Sequence, residues 1–223
     1  MTSDLSGWRA PAFPPHSVLE GRWARLEPLD AQRHVAELEQ AFAGADEVWT
    51  YLGPSPPRSR DDWLAVIAAA LAFPNSRAWA VRDLRRGVAA GFLCLLDIRP
   101  AHGVAEIGNV SYSPLLQRTP AATEAVYLLL KLLFDAGYRR VEWKCDAANA
   151  ASRRAAVRYG FVHEGLFRQH MVRKGRNRDT AWYAMLDGEW PRRRAAIEAW
   201  LAPGNFDAEG RQRERLARAA PPG

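Results

Sequence analysis

The spacing of apolar positions changes several times along the chain, and each change marks an element. Residues 18–29 alternate loosely, with Trp23, Leu26 and Leu29 apolar, which predicts a first strand. Asp30 stands where an N-cap belongs, ahead of a helical pattern over 31–43. Trp49–Pro57 holds too much proline for regular structure beyond a single turn. Ser59 offers a second cap, before a helix over 60–73 whose Trp63, Ile67 and Leu71 recur at helical spacing. Strands follow over 77–82 and 88–98, joined by Asp83–Gly87, where Gly87 can supply a positive φ. The next run, 104–112, is also strand-like, and Gly108 in its middle marks a bulge or a close backbone approach.

A strongly periodic helix over 121–136 stops before Gly137, and a strand over 139–145 follows. Then come a helix over 149–159 and a strand over 162–173. Gly175–Asn177 turns the chain into a last strand, 178–186, and Asp187 stands as the cap of a closing helix to Leu201 with Pro191 in its first turn. The order β-α-α-β-β-β-α-β-α-β-β predicts a mixed α/β (α+β) domain. The helix between strands 104–112 and 139–145 implies a parallel pair joined by a right-handed crossover, and the hairpins on either side imply antiparallel pairs. Residues 1–17 read as an extended arm and 18–202 as one domain. Residues 203–223 form a charged, alanine-rich tail, either without fixed structure or adding a short helix.

At 223 residues the chain is long enough to bury a sizeable core, and 48% hydrophobic with 25% charged residues is an ordinary globular balance. The apolar runs are too short to span a bilayer, so no membrane association is expected. Met1–Gly7 lacks the basic and then apolar pattern of a signal peptide, so a cytoplasmic location is expected. Cys94 and Cys145 both lie in apolar strand-like runs and read as buried reduced thiols; no metal-ligand spacing accompanies them, so no metal is expected. The net charge of +6 suits an anionic partner, yet the arginines are spread along the chain and no nucleic-acid-binding signature accompanies them.

The stretch Glu142–Arg168 carries the most specific pattern. It runs from a strand through Asp146-Ala-Ala into a helix whose first polar residues are Asn149 and Ser152, stops at Tyr159-Gly160-Phe161, and continues as a strand. This stretch resembles the closing half of the GNAT N-acetyltransferase fold, in detail the RimJ/RimL-like branch, and the resemblance extends from about Val18 to Leu201. It implies a mostly antiparallel sheet of roughly seven strands, flanked by helices and splayed between the fourth and fifth. It also implies acetyl-CoA as cosubstrate and a primary amine as acceptor.

An acyl-CoA needs free N–H groups at a helix start for its pyrophosphate, a strand edge for its pantetheine arm, and a donor for its carbonyl. Gln117-Arg118-Thr119-Pro120-Ala121-Ala122 matches the family's pyrophosphate loop, with Pro120 in place of its first glycine and one N–H donor lost. The amides of Arg118, Thr119, Ala121, Ala122 and Thr123 remain. Along 104–112, Val110 and Tyr112 are implied partners of the acyl arm, and Gly108 the family's bulge. Taken as bare residues, Asn149 and Ser152 are ordinary helix N-terminal types. The resemblance makes Asn149 a pantetheine ligand and Ser152 the proton donor to the departing thiolate, with Tyr159 the alternative donor.

The base that takes the amine proton is left open among Glu106, Glu164, His170 and Asp179, with a water relay from Glu106 preferred. The family's glutamate aligns with Met171, beside His170, and alternation predicts that these two face opposite sides of the sheet. Arg178 and Asp179 stand either as anchors for an amino-acid-like substrate or as a pair across a hairpin mouth. Of the many tryptophans, Trp49, in its proline-rich loop, is the candidate for the amine pocket, and Trp63 reads as core. His16, His34 and His102 read as surface or loop positions. The expected function is acetyl transfer from acetyl-CoA to a small-molecule or peptide amine, with a non-catalytic acyl-CoA-binding module as the alternative. A homodimer stays open as the assembly.

Overall fold

The structure is a computed structural model that describes residues 4–216. Its elements run β1 (Leu19–Glu20), β2 (Ala24–Pro28), α1 (Ala31–Ala41), α2 (Arg60–Leu71), β3 (Arg77–Asp83), β4 (Val88–Arg99) and β5 (Val104–Tyr112). They continue with α3 (Pro120–Asp135), β6 (Arg140–Asp146), α4 (Ala150–Tyr159), β7 (Val162–Arg173), β8 (Arg176–Leu186) and α5 (Trp190–Leu201). One 8-stranded sheet has the order β1-β2-β3-β4-β5-β6-β8-β7, antiparallel throughout except for the β5–β6 pair. That parallel pair is the one spanned by α3, as the helical crossover requires.

The sheet has eight strands rather than seven because the predicted first strand breaks at Gly21. Its two pieces pair as Leu19↔Leu26 and Glu20↔Arg25. The break is held by Glu124 of α3, whose carboxylate accepts from the backbone N–H of Arg22 at 3.0 Å, Trp23 at 2.6 Å and Ala24 at 2.7 Å. A side chain at Gly21 would collide with that carboxylate, so the turn and the buried glutamate require one another.

The helices cap as the sequence predicts at Asp30, which accepts from Arg33 N–H, and at Ser59, which forms a full capping box with Asp62. Leu71 departs from the predicted apolar face: at the last residue of α2 it is 44% exposed. The closing helix starts at Trp190 with Glu189 at the cap position, and Asp187 instead accepts from the Gly188 N–H. The β7–β8 turn is tighter than predicted, with Lys174 and Gly175 both at positive φ and β8 already begun at Arg176.

Helices α1 and α2 cover one face, with α1 on β4; α3 and α4 cover the other, with α5 on α3. The core joins both layers through residues such as Leu26, Trp79, Phe92, Leu95, Ile107 and Leu129. His34, read as a surface residue, is fully buried on α1, where its Nε2 meets Glu27 Oε2 at 2.9 Å. The arm lies along the sheet: Trp79 Nε1 donates to Ser17 O at 2.8 Å and Tyr138 Oη to Ala12 O at 3.2 Å. After a 3₁₀ turn at Pro203–Asn205 the tail folds back, bridging Phe206 to Gln212. Residues 1–3 of the arm and 217–223 of the tail lie outside the described residues. No helix among the described residues is long and apolar enough to cross a membrane.

Truncating Glu124 to Ala would leave three backbone N–H groups without their acceptor, that of Ala24 buried and those of Arg22 and Trp23 partly so. Glu124→Ala is expected to cost about 3 kcal/mol, seen as a melting temperature lower by roughly 6–12 °C for a domain of this size. Unchanged melting would show that the carboxylate does not hold the strand break.

Candidate active site

Strands β5 and β6 pair only at Val104↔Arg140, Ala105↔Val141 and Glu106↔Glu142. Beyond this point β5 runs on to Tyr112 and β6 to Asp146 without pairing, so the edge of β5 lies open. A bulge bends β5 away from β6. Opposite β4, Phe92 pairs Ser111 while Cys94 pairs Gly108, which places one extra residue on β5. Asn109 takes φ +48° there, and its Nδ2 lies 3.7 Å from Cys94 Sγ. Gly108 serves close approach as well, since a Cβ would sit 2.8 Å from Glu106 Oε1 and 2.8 Å from Leu96. The splay opens a cleft of about 1400 Å³.

On the α3–α4 side the cleft is bordered by Val110, Tyr112, Gln117, Arg118, Thr119, Ala122, Thr123, Asn149, Ser152 and Tyr159. Ala121, the remaining expected cosubstrate contact, is buried and does not border it. Thr119 is the N-cap of α3, its Oγ1 accepting from Ala122 N–H at 3.2 Å, and Pro120 is the first helical residue. Proline is favoured there because that N–H has no intrahelical acceptor anyway. The Ala122 amide is therefore spent on the cap, and Thr119 N–H is turned to Leu116 O at 3.3 Å. Arg118 takes φ +61° and Gln117 Nε2 donates to Tyr112 O at 2.9 Å, so side-chain and backbone bonds fix the loop.

Asn149 caps α4, its Oδ1 accepting from Ser152 N–H at 3.0 Å. Ser152 Oγ in turn accepts from Trp143 Nε1 at 3.0 Å, which leaves its own proton to donate elsewhere. Burial pushes the neighbouring Cys145 thiol up, against a hydrogen bond from Ser152. Tyr159 is buried, its ring 5.9 Å from Trp143, and burial holds its hydroxyl above the usual tyrosine range.

Directly paired residues share a face, so Lys144 lies with Trp182 and Asp146 with Thr180 on the face opposite α4. Glu106 points to that side too, its Oε2 2.5 Å from Lys144 Nζ. Burial raises the Glu106 carboxyl above the usual carboxylate range, with Lys144 opposing the shift. Lys144 Nζ also lies 4.6 Å over the Trp182 ring. Lys144 went unremarked in the sequence, because only the register across two strands brings it to Glu106.

The expectation for His170 and Met171 is corrected: both border the cleft. Between the pairs Phe167↔Thr180 and Met171↔Arg178, β7 carries two extra residues, with Gln169 at φ +52°, and this bulge breaks the alternation. Asp179 stands outside the cleft and holds the bulge, its Oδ1 accepting from Gln169 N–H at 2.7 Å and Asn177 Nδ2 at 2.9 Å. Glu164 is tied to Arg140 at the far end of the sheet. Trp49 borders the cleft as a buried residue, 2% exposed, with its ring packed on Phe42 and Trp63. The segment around it roofs the site: Trp49 O accepts from Lys174 Nζ at 2.7 Å, and Tyr51 Oη donates to Ala148 O at 3.1 Å.

Residues 24–162 match the family model for the acetyltransferase (GNAT) domain. The chain is 47% identical to a GCN5-related N-acetyltransferase from Brucella melitensis, with a TM-score of 0.92 over 95% of this chain and 97% of that one. It is 46% identical to a protein assigned to the acetyltransferases of the GNAT family from Chromobacterium violaceum, with a TM-score of 0.80 over 86% and 96% of the two chains. The ribosomal-protein α-N-acetyltransferase RimL shares the fold at 22% identity, with a TM-score of 0.65 over 76% and 93%. A search of curated proteins finds no match.

Because the Glu106 carboxyl is raised in the folded state, its protonated form fits the fold best, and the associated stability is lost as pH rises through the folded value. Lys144→Met removes the counter-charge and is expected to push that value further up. The variant is expected to be roughly 2–3 kcal/mol less stable than the parent at pH 8, below the fully buried range because Lys144 is partly exposed. That gap should narrow toward pH 4.5, near the ordinary carboxyl value, where Glu106 is protonated in both. Denaturant titrations at the two pH values measure it, and a pH-independent gap would contradict the pairing.

Proposed function

The chain belongs to the GNAT acetyltransferase family, and on that premise we propose that the cleft takes acetyl-CoA and passes its acetyl group to a primary amine by direct attack in a ternary complex. The observation that carries this reading is the splay of β5 from β6, with a helix N-terminus at one end and the Glu106–Lys144 pair on the opposite face. Acetyl-CoA would bring an acetyl group already activated as a thioester. The start of α3 would hold the pyrophosphate through its spare amides and the Arg118 charge, and the open edge of β5 would pair with the pantetheine arm.

On the amine side, Glu106 accepts the proton that the ammonium must shed before it attacks, directly or through water. Its raised pKa suits a base working near neutrality better than that of an exposed carboxylate. The new bond joins amine nitrogen to acetyl carbon, the carbon–sulfur bond breaks, and the sulfur leaves with the proton of Ser152, which regains one, directly or through water, from the second proton the nitrogen sheds on becoming an amide. Trp143 already occupies the acceptor side of that hydroxyl. Tyr159, kept protonated by burial, is the second donor within the same wall. Much of the acceleration comes from holding amine and thioester together.

The alternative of a non-catalytic acyl-CoA binder drew on Pro120 and on an unassigned base. Pro120 falls in the first turn of α3, where the N–H it lacks would have no intrahelical acceptor, and the burial of Glu106 beside Lys144 supports it as the base.

Acetyl-CoA at a hundredfold excess over its dissociation constant should stabilise the protein by about 2.7 kcal/mol; no thermal shift at millimolar acetyl-CoA would remove the cosubstrate assignment. Ser152→Ala is expected to lower turnover about 100-fold with acetyl-CoA affinity nearly intact. Wild-type turnover there with a large loss in Tyr159→Phe would move the donor role to Tyr159, and full activity in both would leave protonation to water. Turnover should rise with pH through the folded Glu106 value, and in Lys144→Met that acid limb should move to higher pH.

A further inference from the structure

The polar row on the acceptor side ends in a cation that the acetyl-transfer chemistry leaves unused. Arg178 borders the cleft at the start of β8, on the same face as Thr180 and Trp182. Its Nε donates to Thr180 Oγ1 at 3.2 Å, and the same oxygen lies 2.9 Å from His170 Nδ1. Thr180 is fully buried, so the guanidinium is anchored from beneath while its two terminal nitrogens remain to bind in parallel.

Other arginines of the sheet and of α4 are tied to partners. Arg140 takes Glu142 and Glu164, Arg99 takes Glu142, and Arg158 donates to Thr123 Oγ1 and stacks on Trp200. Among the described residues no carboxylate lies within 4.0 Å of Arg178. The acids nearest in charge do other work: Glu106 holds Lys144, and Asp146 Oδ1 accepts from Ala148 N–H at 2.9 Å to shape the turn into α4. Burial lowers the Arg178 pKa, and the positive charge of Arg173 lowers it further. A half-buried guanidinium beside a second cation is costly until an anion reaches it, and its planar fork matches a carboxylate.

We propose that the acceptor is a small primary amine that also carries a carboxylate, its amine presented to Glu106 and its carboxylate paired with the Arg178 guanidinium. This rests on the acetyltransferase reading above and narrows the acceptor within it. Arg178 and Glu106 would then fix the two ends of one substrate, so that only a molecule bearing both groups engages both. A neutral amine would leave the arginine unpaired, and such a buried polar group left unpaired is how a site rejects an analogue.

The test uses the full chain, acetyl-CoA and matched acceptors: amino acids, the corresponding amino acid amides, the decarboxylated amines, and short peptides with a free amino end and an amidated carboxyl end. Thiol release gives KM and kcat, compared at equal concentrations of unprotonated amine because the pairs differ in amine pKa. The expected result is a KM at least tenfold lower for the carboxylate-bearing member of each pair. In Arg178→Gln that gap should close, and Arg178→Lys should restore part of it. Bound acetyl-CoA should still raise the melting temperature of both variants, which shows that they are folded. Equal KM within the pairs, or a preference that survives Arg178→Gln, overturns the proposal and leaves acetyl transfer standing. Amidated peptides outperforming every free amino acid overturn it as well. No transfer to any acceptor overturns both readings together.

Discussion

A parallel pair of strands that bonds over three residues and then parts is the constraint on which this molecule depends. An open strand edge inside a sheet is costly, because each buried N–H and C=O needs a partner. Here the edge is bent away by a bulge rather than left to close. Asn109 takes a left-handed conformation that a residue with a side chain adopts at a cost, and its contact with Cys94 helps to hold it there. Gly108 must be small for the neighbouring carboxylate of Glu106 to fit beside it. The same few residues therefore open the slot and seat the acid beside it.

The sheet also divides the chemistry. Side chains alternate along β6, so Trp143 and Cys145 meet Ser152 on α4, while Glu142 and Lys144 belong to the other face. Ser152 and Glu106, the proposed proton donor and acceptor, thus stand on opposite sides of one gap. A thioester lying in the gap would present its sulfur to one face and its carbonyl carbon to an amine from the other. Roof and floor are joined separately, through Lys174 to Trp49 and Tyr51 to Ala148, so the acceptor side is closed by two bonds between distant parts of the chain.

Most of the frame was legible from periodicity and caps. The caps at Asp30 and Ser59, the crossover helix and the Asn149 cap stand where the spacing predicts them. What escaped depended on contacts between distant segments. The break at Gly21 follows from a carboxylate a hundred residues away. The bulge at Gln169 is set by Asp179 across the hairpin, and a glutamine at positive φ leaves no mark in a sequence pattern. Alternation therefore separated His170 from Met171 when both border the cleft, and Asp179, left open between a substrate anchor and a partner across the hairpin mouth, supports the backbone of that hairpin. Trp49, the pocket candidate of its proline-rich segment, borders the cleft with its ring buried against Phe42 and Trp63, a packing that no local pattern marks.

The proline in the loop before α3 shows how a departure from a family pattern can be compensated locally. Glycine loops approach phosphates closely but must be ordered when the anion arrives, and glycine loses more conformational freedom than any other residue. In this chain Pro120 fixes its own φ, Thr119 closes the first turn through Ala122, and Gln117 ties the loop to Tyr112. Arg118, left-handed, stands directly before this cap. The Thr119 and Ala122 amides are bonded within the loop and Pro120 has none, so fewer amides are left than in a glycine loop, and the formal positive charge of Arg118 stands beside them. For an anion at a helix start, preorganised donors and a nearby guanidinium offset a missing N–H, because ordering the loop no longer has to be paid for on binding.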